Sequence, residues 1–222
     1  MLEISKKLLK MAGKYSGYEI FSDWIKADAL SISNVSDQYR RIFSPKAEEI
    51  CQRREAEYMA IVQKHGRETM QGFVELSGML ALELERNISD VLGAVYMEAN
   101  LGSKITGQFF TPFHVAYASA ELTIPKDVSP ENPFLLNEPS CGGGAMIIAA
   151  AKVLQSRGVN YQRCMKVVAQ DLDWKGVYMT YVQLSLLGIR AVVVQGDTLA
   201  EPYHTGYPPE RTLYTPAQMG ML

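Results

Sequence analysis

FLLNEPSCGGGAMIIAAAKVLQSRG, residues 134–158, is the stretch on which the fold turns. A short apolar run enters three consecutive glycines, and an apolar segment at helical spacing leaves them and stops at Gly158. That order reads as strand, glycine loop, helix, with Gly158 closing the helix in the left-handed region. The same alternation follows. MKVVAQD (165–171) is a buried strand, WKGVYMTYVQLSLLG (174–188) a helix, and RAVVVQGD (190–197) another strand. Strands and helices in such short succession predict parallel βαβ units with right-handed crossovers.

Working outward toward the N-terminus, the periodicity changes to purely helical. SDQYRRIFSPKAEEICQRREAEYMAIVQKHGRETMQGFVELSGMLALELERN is rich in strong helix formers, with apolar positions three and four apart. Its charges Arg53, Arg54, Glu55 and Glu57 read as a solvated face, and SISNVSD supplies candidate caps around Ser33 to Asp37. NISDVLGAVYMEANLG predicts a helix capped by Ser89 or Asp90 and ended near Gly102. GQFFTP is a turn leading into a further helix, and PKDVSPENP is a proline-rich loop. The expected division is a helical segment over 1–102 followed by an α/β domain over 103–222.

The 222 residues are 47% hydrophobic and 21% charged with net charge -2, a globular composition without a basic signature for nucleic acid. No apolar run is long enough for a membrane span, and the first residues lack a continuous apolar signal core, so a cytoplasmic protein with no membrane partner is expected. Cys51, Cys141 and Cys164 lack a CxxC spacing and read as reduced thiols. His65, His114 and His204 are scattered and make no metal-ligand pattern, so no metal is expected.

In a parallel sheet, ligands lie beyond the carboxyl ends of the strands. Gly142, Gly143 and Gly144 leave room there for close approach, although three glycines also serve a tight turn. The second strand ends at Asp171, suited to accept from two ribose hydroxyls, while Asp173 is placed to cap the next helix. The third strand ends near Asp197, placed to accept from an exocyclic amine. No Walker lysine follows the glycines, and this edge gathers negative charge. A nucleoside without a polyphosphate tail fits better than a nucleoside triphosphate.

GQFFTP (107–112), EPSCGGGAMI (138–147), AQDLD (169–173) and QGDTL (195–199) together resemble the S-adenosylmethionine motifs of adenine-N6 DNA methyltransferases, in the family's order. The nearest likeness is to the modification subunits of type I restriction systems. The resemblance covers roughly residues 85–200. It implies a Rossmann-type S-adenosylmethionine-dependent methyltransferase core, with S-adenosylmethionine as cofactor and DNA as partner. By position, Gly107, Phe109, Thr111 and Pro112 would flank the methionine end of the cofactor. Glu138 stands where the family has Asp, and Pro139, Cys141, Gly142 and Gly144 match the loop. Asp171 matches the ribose acid and Asp197 the adenine-amine acceptor. Glu138 also supplies counter-charge for a sulfonium and an ammonium group, or alternatively caps the helix.

The sequence departs from the family where the target amine should be held. Family members carry Asn/Asp-Pro-Pro-Tyr/Phe, whose acceptors take the amine hydrogens and whose ring stacks on the flipped base. YPPE (207–210), YTPAQ (214–218) and NPF (132–134) are each incomplete, and no residue is assigned a catalytic role. Family sheets hold more strands than are legible here, so a truncated parallel sheet is expected. The edge of its first strand then needs cover, by RTLYTP, by the N-terminal helices, or by a second chain. That second chain would be another copy in a symmetric dimer, or a methyltransferase or restriction subunit. The competing function is a non-catalytic accessory or anti-restriction protein that binds the same cofactor. An enzyme acting on S-adenosylmethionine itself has no specific motif in its favour.

Overall fold

The computed structural model describes residues 1–37, 44–101, 110–204 and 206–221. Its chain order is α1 (Glu3–Met11), α2 (Gly17–Ser36), α3 (Pro45–Arg86), α4 (Val91–Glu98), α5 (Phe113–Thr123), β1 (Phe134–Glu138), α6 (Ala145–Ser156), α7 (Tyr161–Cys164), β2 (Met165–Asp171), α8 (Trp174–Leu186), β3 (Arg190–Gln195) and β4 (Thr212–Tyr214). The sheet order is β1-β2-β3-β4. The first three strands are parallel, with Leu136 opposite Val167 and Val167 opposite Ala191. β4 is antiparallel to β3, with Leu213 opposite Val193.

Alternation along the strands separates two faces. Phe134 and Leu136 of β1, Met165, Val167 and Ala169 of β2, and Ala191 and Val193 of β3 join the main core under α6 and α8. The opposite face is covered unevenly. Val192 and Val194 lie under Tyr203 and Tyr207, whereas Leu135 is 69% exposed and Lys166 is exposed. Gln170 also faces that way. It is buried but satisfied: its Nε2 donates to the Glu201 carbonyl at 2.9 Å and its Oε1 accepts from Tyr203 N at 3.0 Å.

The helical segment is fused to the α/β part by one continuous apolar core that includes Phe21, Trp24, Leu76 and Tyr181. α2 packs on both α3 and α8. A capping box at Ser16 and Glu19 starts α2. Gly66, at φ 70° and ψ 176°, breaks α3 into two helical pieces.

Three expectations are corrected. The serines of SISNVSD are not caps. Ser33 and Ser36 belong to the last turns of α2, where their hydroxyls donate back to the carbonyls of Leu30 and Ile32. Arg54 is not on a solvated face: it is 5% exposed, pairs with Asp37 at 2.7 Å, and donates to the Thr212 carbonyl at 3.1 Å. Burial is tolerated because both the charge and a remaining donor are satisfied. RTLYTP does form an added strand, but at the other edge, on β3. An antiparallel return needs no crossover, and Thr215 locks it by donating to the Ile189 carbonyl at 2.7 Å while accepting from Ala191 N at 3.0 Å. The outer edge of β1 has no strand partner among the described residues.

Candidate functional site

The carboxyl ends of β1, β2 and β3 are stitched together by loop backbone. Cys141 N donates to the Gln170 carbonyl at 2.9 Å, and Gly196 N donates to the Asp171 carbonyl at 2.9 Å. Thr198 Oγ1 donates to the Pro139 carbonyl at 2.6 Å. Above them lies a cleft of about 220 Å³, lined by Phe110, Thr111, the glycine loop, Asp171, Lys175 and Gly176 among others.

The loop conformation needs its glycines. Gly142 has φ 51°, and a β-carbon there would meet the Phe110 ring at 3.0 Å. Gly144 has φ 92° and would crowd Thr180 Oγ1 at 3.1 Å. Asp171 is the organising acid. Its Oδ2 accepts from Gly142 N at 2.8 Å and its Oδ1 from Asp173 N at 2.9 Å. Each carboxylate oxygen keeps a further lone pair for a ligand. Glu138 is half-buried and accepts from Ser140 N at 3.1 Å. Burial, and then the Asp171 charge, hold its carboxyl above the usual range against the pull of that bond.

Of the residues singled out in the sequence, Thr111, Cys141, Gly142 and Asp171 line the cleft directly. Glu138 stands beside them, close enough to feel the Asp171 charge. Gly144 turns into α6 behind the loop, Pro112 caps α5, and the Pro139 carbonyl ties the loop to Thr198. Asp197 is exposed and accepts from Leu199 N at 2.9 Å; it caps its own turn and does not line the cleft. Gly107 and Phe109 lie outside the described residues. Cys141 is buried, and burial pushes its thiol far up, so it is neutral. Asp173 caps α8, with its Oδ1 accepting from Lys175 N at 3.0 Å.

Sequence reasoning missed the underside of the loop. Gly176, Thr180 and Gln183 sit four and then three residues apart on α8, one stripe of a helix. Gly176 lets the helix approach Asp171 and the Gly142 carbonyl; Thr180 Oγ1 donates to the Gly142 carbonyl at 2.9 Å. Gln183 Nε2 donates to the Gly143 carbonyl at 2.7 Å and to Asp90 Oδ1 at 2.9 Å. Asp90, at the start of α4, is 5% exposed, and burial raises its carboxyl to about 6. The glycine-to-glutamine spacing within a helix was the available signal. Lys175 was missed as well. It lines the cleft with Nζ 3.1 Å from Tyr96 Oη and 4.8 Å from the Tyr96 ring centre.

All three incomplete matches are structural: in NPF, Asn132 Nδ2 donates to the Asp127 carbonyl at 3.2 Å and Phe134 opens β1. Tyr207 is 5% exposed, its hydroxyl donates to the Gln195 carbonyl at 3.1 Å, and it occupies the space a side chain at Gly196 would need. Tyr214 belongs to β4, and its carbonyl accepts from Tyr181 Oη at 3.1 Å.

Fold and cleft thus define an α/β protein with a glycine loop and an acid at the carboxyl edge of parallel strands. The model of the N-6 DNA methylase family matches residues 88–216, more than half of the chain, and the chain belongs to that family. No curated protein matches it. No helix among the described residues is long and apolar enough to cross a membrane.

Proposed function

We propose that the cleft binds S-adenosylmethionine on a Rossmann-type methyltransferase core, residues 103–222 forming the cofactor domain and 1–102 its helical support. The observation that carries this reading is the Asp171 carboxylate, hydrogen-bonded to the Gly142 amide on the wall of the cleft with Glu138 beside it. The residues suit the ligand chemically. Asp171 retains lone pairs for ribose hydroxyls, and the two carboxylates favour a sulfonium and an ammonium group. Lys175 offers a cation for a carboxylate. When bound, the cofactor supplies an electrophilic methyl group; the protein's part is to hold it in line with an acceptor nitrogen.

DNA adenine is the acceptor this reading implies, with the protein acting in the cytoplasm alongside DNA and a second protein chain. The isolated chain is expected to transfer methyl groups weakly or not at all. Tyr207 is buried, Tyr214 is packed against the Val192, Val194 and Tyr207 cluster, and no carboxamide stands before paired prolines. The same features favour the second reading, a non-catalytic accessory or anti-restriction protein that binds the cofactor.

Isothermal titration with S-adenosylmethionine tests the binding, and a tritiated-methyl assay on DNA separates the two readings. Asp171→Ala removes charge-assisted bonds and should weaken binding by on the order of 1.5–3 kcal/mol. Absence of binding to the native chain, or unchanged affinity in the variant, refutes the assignment. Methyl transfer at rates of about 1–10³ per second would establish an enzyme complete in itself.

A further inference from the structure

A second groove, of about 500 Å³, lies between α2, α3, the start of α8 and residues 209–213, and shares no lining residue with the cleft. One wall is aromatic. Trp174 and Tyr178, one turn apart on α8, stack with ring centres 5.1 Å apart at 28°. The other walls carry Lys26, Arg53, Arg54 and Arg211 against Glu57 and Glu210, a cationic excess in a chain whose net charge is -2.

Most of these charges are already paired. Lys26 meets Glu57 at 2.7 Å, Arg54 meets Asp37 at 2.7 Å, Arg211 meets Glu201 at 2.6 Å, and Glu210 meets Lys46 at 3.7 Å. Arg53 is exposed and has no ion-pair partner among the described residues. An aromatic stack lining a groove, beside an exposed guanidinium that makes no close ion pair among the described residues and whose charge reaches only the Glu210 carboxylate, is complementary to a flat ring that carries an anion. Bases stack on aromatic side chains whatever their sequence, and a guanidinium grips phosphate in a fork.

We propose that this groove holds a nucleotide, its base laid on the Trp174–Tyr178 pair and its phosphate on Arg53. The site goes beyond the cofactor reading and does not depend on it. The nucleotide is either free or part of a single strand; both offer the same ring and phosphate.

Trp174 reports on the site directly, because the other tryptophan, Trp24, is fully buried. The probes are oligo-thymidylate, thymidine monophosphate and inorganic phosphate, none carrying the adenine ring of the proposed cofactor. Oligo-thymidylate or thymidine monophosphate should quench Trp174 emission, while inorganic phosphate should not. Quenching by the oligomer alone identifies a strand; quenching by the monophosphate identifies the free nucleotide as sufficient. Arg53→Gln, at an exposed position, should raise the dissociation constant about five-fold or more and lower the oligomer's salt slope by about 1. In Asp171→Ala the titration should be unchanged. The proposal is overturned by no quenching at millimolar probe, by equal quenching with inorganic phosphate, or by an Arg53→Gln titration identical to the native one. It is also overturned by loss of binding in Asp171→Ala, which would place the probe in the cofactor cleft. A native chain that fails to bind S-adenosylmethionine leaves this titration unaffected.

Discussion

Ser77 Oγ lies 2.9 Å from Trp24 Nε1, 2.7 Å from Asp28 Oδ2 and 2.8 Å from the Phe73 carbonyl oxygen. The hydroxyl has one hydrogen, the indole can only donate, and the carbonyl can only accept. All three contacts are hydrogen bonds when Ser77 donates to Phe73 and Asp28 carries a proton that it donates to Ser77. Burial drives the same result, raising the Asp28 carboxyl from 3.8 to about 7 against the pull of Ser77 and Trp24. Between those two values the unfolded carboxyl releases its proton and the folded one keeps it. Stability from this group therefore falls as pH rises from about 4 to about 7, and levels off above. Asp28→Asn keeps a donor for Ser77 and removes the titration. Its expected effect is a flatter stability curve over that interval and a gain on the order of 1 kcal/mol at pH 8, after discounting for the side chain's partial exposure. Urea unfolding of both proteins at pH 4.5, 6 and 8 measures it, and parallel curves for the two would show that Asp28 does not titrate there.

α8 is the element on which both proposed ligand sites depend, through different stripes of one helix. Gly176, Thr180 and Gln183 carry the glycine loop, while Trp174 and Tyr178 wall the groove. Gly176 is the sensitive position, since a β-carbon there would meet Asp171 Cγ at 3.1 Å and the Gly142 carbonyl at 3.2 Å. Gly176→Ala gains helix propensity of up to about 1 kcal/mol, offset by this crowding. The melting temperature should consequently move by only a few degrees. The displaced carboxylate should weaken S-adenosylmethionine about ten-fold, read by calorimetry. Native affinity in Gly176→Ala would mean that Asp171 does not need its present position.

At the scale of the whole molecule, the sheet is asymmetric. One face and one edge are finished by α6, α8 and β4, while β1 leaves an unpaired edge among the described residues with Leu135 69% exposed beside it. Such an edge is a template for pairing. We expect it to be closed by a second copy of the chain, β1 against β1 about a two-fold axis. Light scattering after gel filtration should give a dimer. Lysine in place of the exposed Leu135 puts a charge on the unpaired strand and should shift the mass toward monomer. A native monomer at all accessible concentrations, or a variant that stays dimeric, would count against pairing through β1.

Local patterns along the chain were enough to read β1, β2, β3 and the helices between them. Apolar runs, glycine stops and Asx caps act between near neighbours and are written in order, as at Gly158 and Asp173. The glycine loop and Asp171 were legible for the same reason, because strand ends in parallel units converge wherever the units pack. Local pattern did not reveal what lies beneath the loop or which charges are buried. Arg54 looked solvent-facing because its partners, Asp37 and the Thr212 carbonyl, are 17 and 158 residues away. RTLYTP forms the added strand that was one of the options read from the sequence, but that option placed it on the edge of β1, whereas it pairs with β3, since any unpaired backbone accepts a strand. Ile189 and Ala191, which Thr215 reaches only after folding, and the Tyr181 hydroxyl on the Tyr214 carbonyl placed it on β3. Desolvation and pairing depend on which distant groups arrive together, so only the tertiary structure decided the support of the loop, the second groove and the edge that receives β4.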